Sequence, residues 1–296
     1  MLATERTEVL ESGIRVRRME GSDVERVLEF RSVVRWAADP RAFELLRGVG
    51  SARWAVAESP DGDLAGMVGA VPLGAVGILC HLAVHQGFRG LGLGRELSKW
   101  AIAYLRSCGS KTVRLYATGP AVDIYRSLDF REVGARTVYQ LEGGPRGGRG
   151  DRGVRTLLFG DLPELYGVDR WSYGADRSSL IYSALGLHPG KGLVARDDSG
   201  RIEGYLIRGL AGEVVRLGPF AAKTPGVARR LLARALGETG GSPVRVIAPG
   251  PAGCPSHRLF EEFGFVGHRD RLRMELGQGV EAGGLVHYGT TPYLAT

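Results

Sequence analysis

The chain is 296 residues long, 44% hydrophobic and 24% charged, a globular balance whose length, at ~100–200 residues per domain, favours two domains. No apolar run approaches the ~20 residues that span a bilayer, the opening MLATERTEVLESG is too polar for a signal peptide, and Cys80, Cys108 and Cys254 lack the spacing of a disulfide framework or a structural zinc site. The net charge of +7 rests on arginines dispersed along the chain, which argues against a nucleic-acid surface. A cytoplasmic protein without a membrane, metal or nucleic-acid partner is expected.

In chain order, IRVRRME from Ile14 predicts a short strand, and SDVERVLEFRSVVRWA a helix with Ser22 or Asp23 as its N-cap. RWAVAE and LAGMVGAVPL predict two strands joined by the turn SPDGD, and Val76–Val84, VGILCHLAV, predicts the next. Leu93, Leu97, Trp100, Ala101 and Tyr104 then fall at helical spacing, with Gly109 as the stop. A strand over 111–117, a short helix over 121–128 and the strand ARTVYQLE close the first half. The glycine-rich EGGPRGGRGDRG at 142–153 predicts a flexible linker between domains at 1–141 and 154–296.

The second half repeats this order. LVARDD and SGRIEGYLIRGL form a hairpin, followed by the strand EVVRLGPFA and a helix with Val227, Leu231, Leu232 and Ala235 on one face. The strand VRVIAP, the helix SHRLFEEF and the strand DRLRMEL complete it. Gly92 to Gly226 is an offset of 134 and Phe130 to Phe265 one of 135, which points to a duplicated domain. The tail GQGVEAGGLVHYGTTPYLAT, with Tyr288 and Tyr293, either adds a strand or lies across the domain interface.

Chemistry concentrates in LAVHQGFRGLGLGREL, residues 82–97, where a strand ends, a glycine-rich turn follows and an amphipathic helix begins. A helix start leaves backbone N–H groups unpaired and carries partial positive charge, so it attracts phosphate. Gly90, Gly92 and Gly94 let the backbone approach phosphate oxygens, and Arg89 and Arg95 add charge-assisted hydrogen bonds. The stretch reads as a pyrophosphate cradle. A P-loop would need a lysine here, and a dinucleotide fingerprint a glycine at Arg95.

Arg-x-x-Gly-x-Gly after Leu-Ala-Val resembles the acyl-CoA motif of the GNAT superfamily of N-acetyltransferases, and AVDIYRSLDF resembles its A-x-x-L-Y-x-x-x-G-F helix. The resemblance implies an α+β fold, a mixed and mostly antiparallel sheet flanked by helices, present twice in tandem. It implies acetyl-CoA as acyl donor and an amine acceptor, on a small molecule or on a protein N-terminus or lysine. The strand Val76–Val84 would part from its neighbour near Leu82–Val84, so that Leu82, Ala83 and Val84 pair with the pantetheine arm. Arg89 and the N–H groups of Gly90, Leu91, Gly92, Leu93, Gly94 and Arg95 would hold the pyrophosphate. The Val84 N–H would polarise the thioester carbonyl, and Tyr125 would be the general acid. Thr118 stands where an Asn that contacts the cofactor is usual, and Asp129 where a Gly is customary.

The base is not identified. Alternation puts Ile78, Cys80 and Leu82 on one face of the strand and Leu79, His81 and Ala83 on the other. By the resemblance the base sits on the face of Ile78 and Cys80, neither of which suits the task; His81 is expected to point away and to be a buried, satisfied core histidine. A water relay or an acid from the first helix or the hairpins remains open. In the second half, KTPGVA keeps Gly226 with Lys223 at the arginine position, but Pro225 removes one donor N–H and Phe260 replaces the tyrosine. YGADRSSLI, RLGPFAAKTPG and LFEEFGF resemble the C-terminal domain of bacterial and archaeal tandem-GNAT proteins. The expected activity is acetyl-CoA-dependent N-acetyl transfer in the first domain. The alternative is an acyl-CoA-binding sensor or partner-binding protein with a lapsed active site.

Overall fold

In the computed structural model, which describes residues 7–34, 43, 46–117, 119–143, 153–251, 253–280 and 283–290, contacts divide the chain into two units. The first holds residues 1–132, 274–280 and 293–296, and the second 133–273 and 281–292. This division follows strand pairing rather than chain order. Residues 133–141 and 274–280 therefore lie across the boundary expected at 142–153, whose residues 144–152 fall outside the described residues. No helix among the described residues is long and apolar enough to cross a membrane.

The sheet of the first unit runs β1 (Glu8–Val9), β2 (Arg15–Arg18), β3 (Arg53–Glu58), β4 (Leu64–Leu73), β5 (Val76–Val84) and β6 (Thr112–Ala117), with the C-terminal end of β13 (Val266–Gly277) beside β6. β2 to β5 pair antiparallel, whereas β5 and β6 are parallel because helix α2 (Leu93–Ser107) returns the chain across the sheet. The expected stripe of α2, from Leu93 to Tyr104, is buried, and the helix packs on β4 and β5. Helices α1 (Val24–Val33) and α3 (Gly119–Arg126) complete the unit.

Asp23 precedes α1 as expected but does not cap it. Its carboxylate takes both terminal nitrogens of Arg17 (2.7 and 2.8 Å) and the Glu20 N–H (2.9 Å), clamping the turn to β2. The hydrogen bonds from Arg17 hold this carboxyl below the usual range. On β6, Arg114 Nε donates to Glu275 Oε1 of β13 (2.6 Å), and both side chains are under one-tenth exposed.

The second unit orders its strands β13, β7 (Arg131–Leu141), β12 (Val244–Pro249), β11 (Val214–Ala222), β10 (Ile202–Ala211), β9 (Gly192–Arg196) and β8 (Val154–Thr156), and β14 (Val286–Gly289) also pairs with β11. Its helices are α4 (Leu162–Tyr173), α5 (Ser178–Leu187), α6 (Pro225–Gly237) and α7 (Pro255–Glu262). Tyr139 of β7 joins Phe220, Leu231, Phe260 and Tyr288 in one core cluster.

Side-chain detail repeats between the units. Asp161, 138 residues after Asp23, takes Arg155 at 2.7 and 2.7 Å and the Leu158 N–H at 2.8 Å. Gly66 and Gly204, also 138 apart, both admit a helix so closely that a Cβ would lie 2.9 Å from Leu97 in one and 2.9 Å from Leu231 in the other. Leu97 to Leu231 is 134, the offset seen in the sequence, which holds only beyond the strand-to-helix loop. That loop is four residues shorter in the second unit, 223–226 against 85–92.

Neutralising one partner of a buried ion pair weakens what compensates the other's buried charge, at a cost of up to about 3 kcal/mol. Glu275→Gln should therefore destabilise the first unit by that order in a denaturant titration. A variant as stable as the parent would contradict the role of β13 in closing this sheet.

Candidate active site

β5 pairs with β6 only over Val76–Ile78, opposite Thr112–Arg114. From Leu79 to Val84 the strand has no partner on that side among the described residues, so the parting begins earlier than the Leu82–Val84 expected. On its other side β5 carries a bulge: Ala83 faces Met67 and Cys80 faces Gly69, leaving His81 and Leu82 to share Val68. His81 adopts φ +54°, a left-handed conformation uncommon for a residue with a side chain.

The bulge breaks the alternation assumed from sequence. Trp54 faces Gly69 and Gly69 faces Cys80, so these three share a face of the sheet. His81, expected on the opposite face, lies edge-on to Trp54 at 5.1 Å instead. It is buried as anticipated, and Arg31 Nη1 donates to its Nδ1 at 2.5 Å, with the same guanidinium 5.3 Å from the Phe43 ring. An arginine can only donate, so the contact holds the imidazole in its Nε2–H tautomer and occupies the Nδ1 lone pair. Burial pushes the Cys80 thiol up to about 12, keeping it protonated at neutral pH.

Beyond β5, the loop closes on itself: His85 Nδ1 accepts the Gly87 N–H (3.2 Å), and Arg89 Nε donates to the Val84 carbonyl (3.4 Å). Gly90 and Gly92 have φ +84° and +74°, and a Cβ at either would meet open space. Backbone conformation, not crowding, requires glycine there. At Gly94 the backbone is not left-handed, but a Cβ would stand 3.1 Å from Ile124 Cδ1, so that side chain would have to give way by a few tenths of an ångström. Gly92 occupies the N-cap position of α2 without a side-chain cap, so the first N–H groups of the helix carry no local side-chain acceptor.

Of the residues assigned to the acyl donor, Leu82, Ala83, Val84, Arg89, Gly90, Gly92, Leu93, Gly94 and Arg95 line a single cleft of about 540 Å³. Leu91 does not line it and is 52% exposed, and Thr118 lies outside the described residues. Helix α3 presents Ala121 and Ile124 to the cleft rather than Tyr125, which is buried with its ring 5.6 Å from Phe130. Sequence reasoning missed Val34, Phe88, Ala121 and Ile124. The i, i+3 spacing of Ala121 and Ile124 was an available signal for the last two.

A second cavity of about 420 Å³ shares Phe88 with this cleft. Its walls carry Glu29 of α1, Asp63 of the β3–β4 turn, His85 and Arg26. Arg26 shares Glu58 (3.2 Å) and Asp23 (3.5 Å) with Arg17, and in the cavity lining the two carboxylates of Glu29 and Asp63 outnumber its one guanidinium.

Residues 26–130 match the model of the acetyltransferase (GNAT) family, and residues 166–278 a second acetyltransferase (GNAT) domain model. A Bacillus subtilis (strain 168) protein described as the uncharacterized N-acetyltransferase YitH is 24% identical over 215 residues, covering 72% of this chain and 73% of its own. A putative acetyltransferase from Pyrococcus horikoshii shares the fold with a TM-score of 0.79, at 19% identity over 98% of both chains. A GCN5-related N-acetyltransferase from Sphaerobacter thermophilus does so at 0.66, with 18% identity over 94% of this chain and 99% of its own. The tandem arrangement read from sequence is thus met twice over, and the chain belongs to the GNAT acetyltransferases, an acyltransferase family, with two GNAT domains in one polypeptide.

Proposed function

We propose that the first unit moves the acetyl group of acetyl-CoA to an amine. The observation that carries this is the continuity of one cleft, in which the unpaired edge of β5 runs into the uncapped start of α2. The β5 edge offers backbone groups to an amide-containing arm, as a neighbouring strand would. Gly90 to Gly94 offer N–H groups to a pyrophosphate, with Arg89 and Arg95 adding side-chain charge; the Arg95 N–H, expected among the donors, is taken by the Gly92 carbonyl (2.9 Å). In the transfer, the neutral amine nitrogen bonds to the thioester carbonyl carbon, the nitrogen releases a proton to the carboxylates beside the acceptor cavity or to water, the carbon–sulfur bond breaks, and the thiolate takes a proton. The Val84 N–H stabilises the developing oxyanion, and the proton comes from Tyr125, which does not itself line the cleft but is buried next to the cleft residue Ile124 on α3.

The acceptor amine enters from the cavity beyond Phe88, where Glu29 and Asp63 attract it as an ammonium and sit beside its route to the thioester. These are the acids of the first helix and of a hairpin that sequence left open as bases. The rival reading, an acyl-CoA-binding protein without turnover, draws support from the arginine-bound His81, the protonated Cys80 and the burial of Tyr125, which does not line the cleft.

Acetyl-CoA should raise the melting temperature, and Gly92→Glu should abolish that rise, because it strains a left-handed position and sets a carboxylate against the phosphates. No shift in the parent protein would sink the assignment. Tyr125→Phe should slow thioester consumption across an amine panel at unchanged acetyl-CoA affinity; undiminished activity would remove Tyr125 from the chemistry, and no consumption by the parent protein would favour the rival. Glu29→Gln combined with Asp63→Asn should raise KM for the amine several-fold without changing acetyl-CoA binding. An unchanged KM would place the acceptor elsewhere.

A further inference from the structure

The second unit repeats the parted strands, but its gap is filled. β11 pairs with β12 over Val215–Leu217, opposite Val244–Val246, and then leaves it. A bulge between β10 and β11 falls within one residue of the place of that between β4 and β5, with Leu206 facing Phe220 and Arg208 facing Leu217. The offset of 138 places Phe220, Ala221 and Ala222 where the first unit has Leu82, Ala83 and Val84. Those three residues pair with β14: Phe220 with Gly289, Ala221 with His287 and Ala222 with Val286.

β14 also reaches the other side of the fork. The Thr290 N–H donates to the Ile247 carbonyl of β12 (2.8 Å). A Cβ on Gly289 would lie 3.0 Å from Val246 Cγ2 and 3.3 Å from the Leu217 carbonyl, which puts this glycine in the crotch between the two strands. Tyr288 is fully buried with its ring 5.2 Å from Phe220, and His287 stands edge-on to Tyr173 at 5.5 Å. The phosphate end is closed as well. Pro225 at the start of α6 has no N–H to give, and Thr224 Oγ1 accepts the Val227 N–H (3.3 Å) that would otherwise face an anion.

We propose that β14 is a built-in occupant of the second acyl-CoA cleft. It takes the place that the pantetheine arm has in the first unit, and the chain therefore binds one acetyl-CoA. The inference rests on the assignment of the first cleft only for its stoichiometry; the seating of β14 stands on contacts within the second unit.

Titration calorimetry of the full chain with acetyl-CoA should give one site per chain, and two would overturn the proposal. Zero would contradict the assignment of the first cleft instead, and the seating of β14 is then judged by two variants. Gly289→Val should lower the melting temperature of the second unit by several degrees, with no recovery in excess acetyl-CoA. Tyr288→Phe, which keeps the stacked ring and removes a buried hydroxyl that has no hydrogen-bond partner among the described residues, should melt at or above the parent. An unchanged melting temperature in Gly289→Val, or its recovery with acetyl-CoA, would show that β14 is not seated or is displaced by the donor. Should Gly289→Val fail to fold, the stoichiometry and Tyr288→Phe still decide; a Tyr288→Phe protein less stable than the parent would count against the seating described.

Discussion

A strand that leaves its neighbour exposes a row of backbone N–H and C=O groups, and these must find partners. That requirement organises both halves of this protein. β5 leaves β6 after Ile78, and β11 leaves β12 after Leu217. In the first unit the open edge lines a cleft that continues into the glycine loop. In the second the same edge is paired with β14. The difference between a site and a scaffold here is what satisfies the edge of one strand.

What the two units share and what they do not fits this division of labour. The carboxylate clamp on the first turn is repeated atom for atom, Asp23 with Arg17 and Asp161 with Arg155, and so is the close approach of a helix over Gly66 and Gly204. These features hold a sheet and a helix together and serve either unit. The strand-to-helix loop is not shared. Four fewer residues, a proline and a threonine cap turn a helix start that can receive an anion into one that is self-contained.

Much of this was legible in the residues. The strand Val76–Val84, the α2 stripe from Leu93 and the turn glycines were found where local pattern placed them, because each rests on contacts close in sequence. The position of His81 was not, because alternation assumes a regular strand and the bulge depends on how β4 pairs. Helix α4 was hidden by Pro163, which sits in its first turn where a missing N–H costs little, and by Gly167 inside it. The assignment of β7 and the end of β13 to opposite units, and the seating of β14, depend on pairings remote in sequence that no local window contains. Tyr125 could be read as a motif position, but the side of α3 that lines the cleft followed only from packing.

Amide hydrogen exchange with and without acetyl-CoA tests the central claim, that the same strand edge is open in one unit and closed in the other. The account predicts that the amides of 79–84 that face away from β4, and those of 90–94, exchange readily alone and become protected by acetyl-CoA, while 220–222 and 286–289 are protected from the start and do not change. Fast exchange of 286–289 in the free protein, or its acceleration on adding acetyl-CoA, would contradict it.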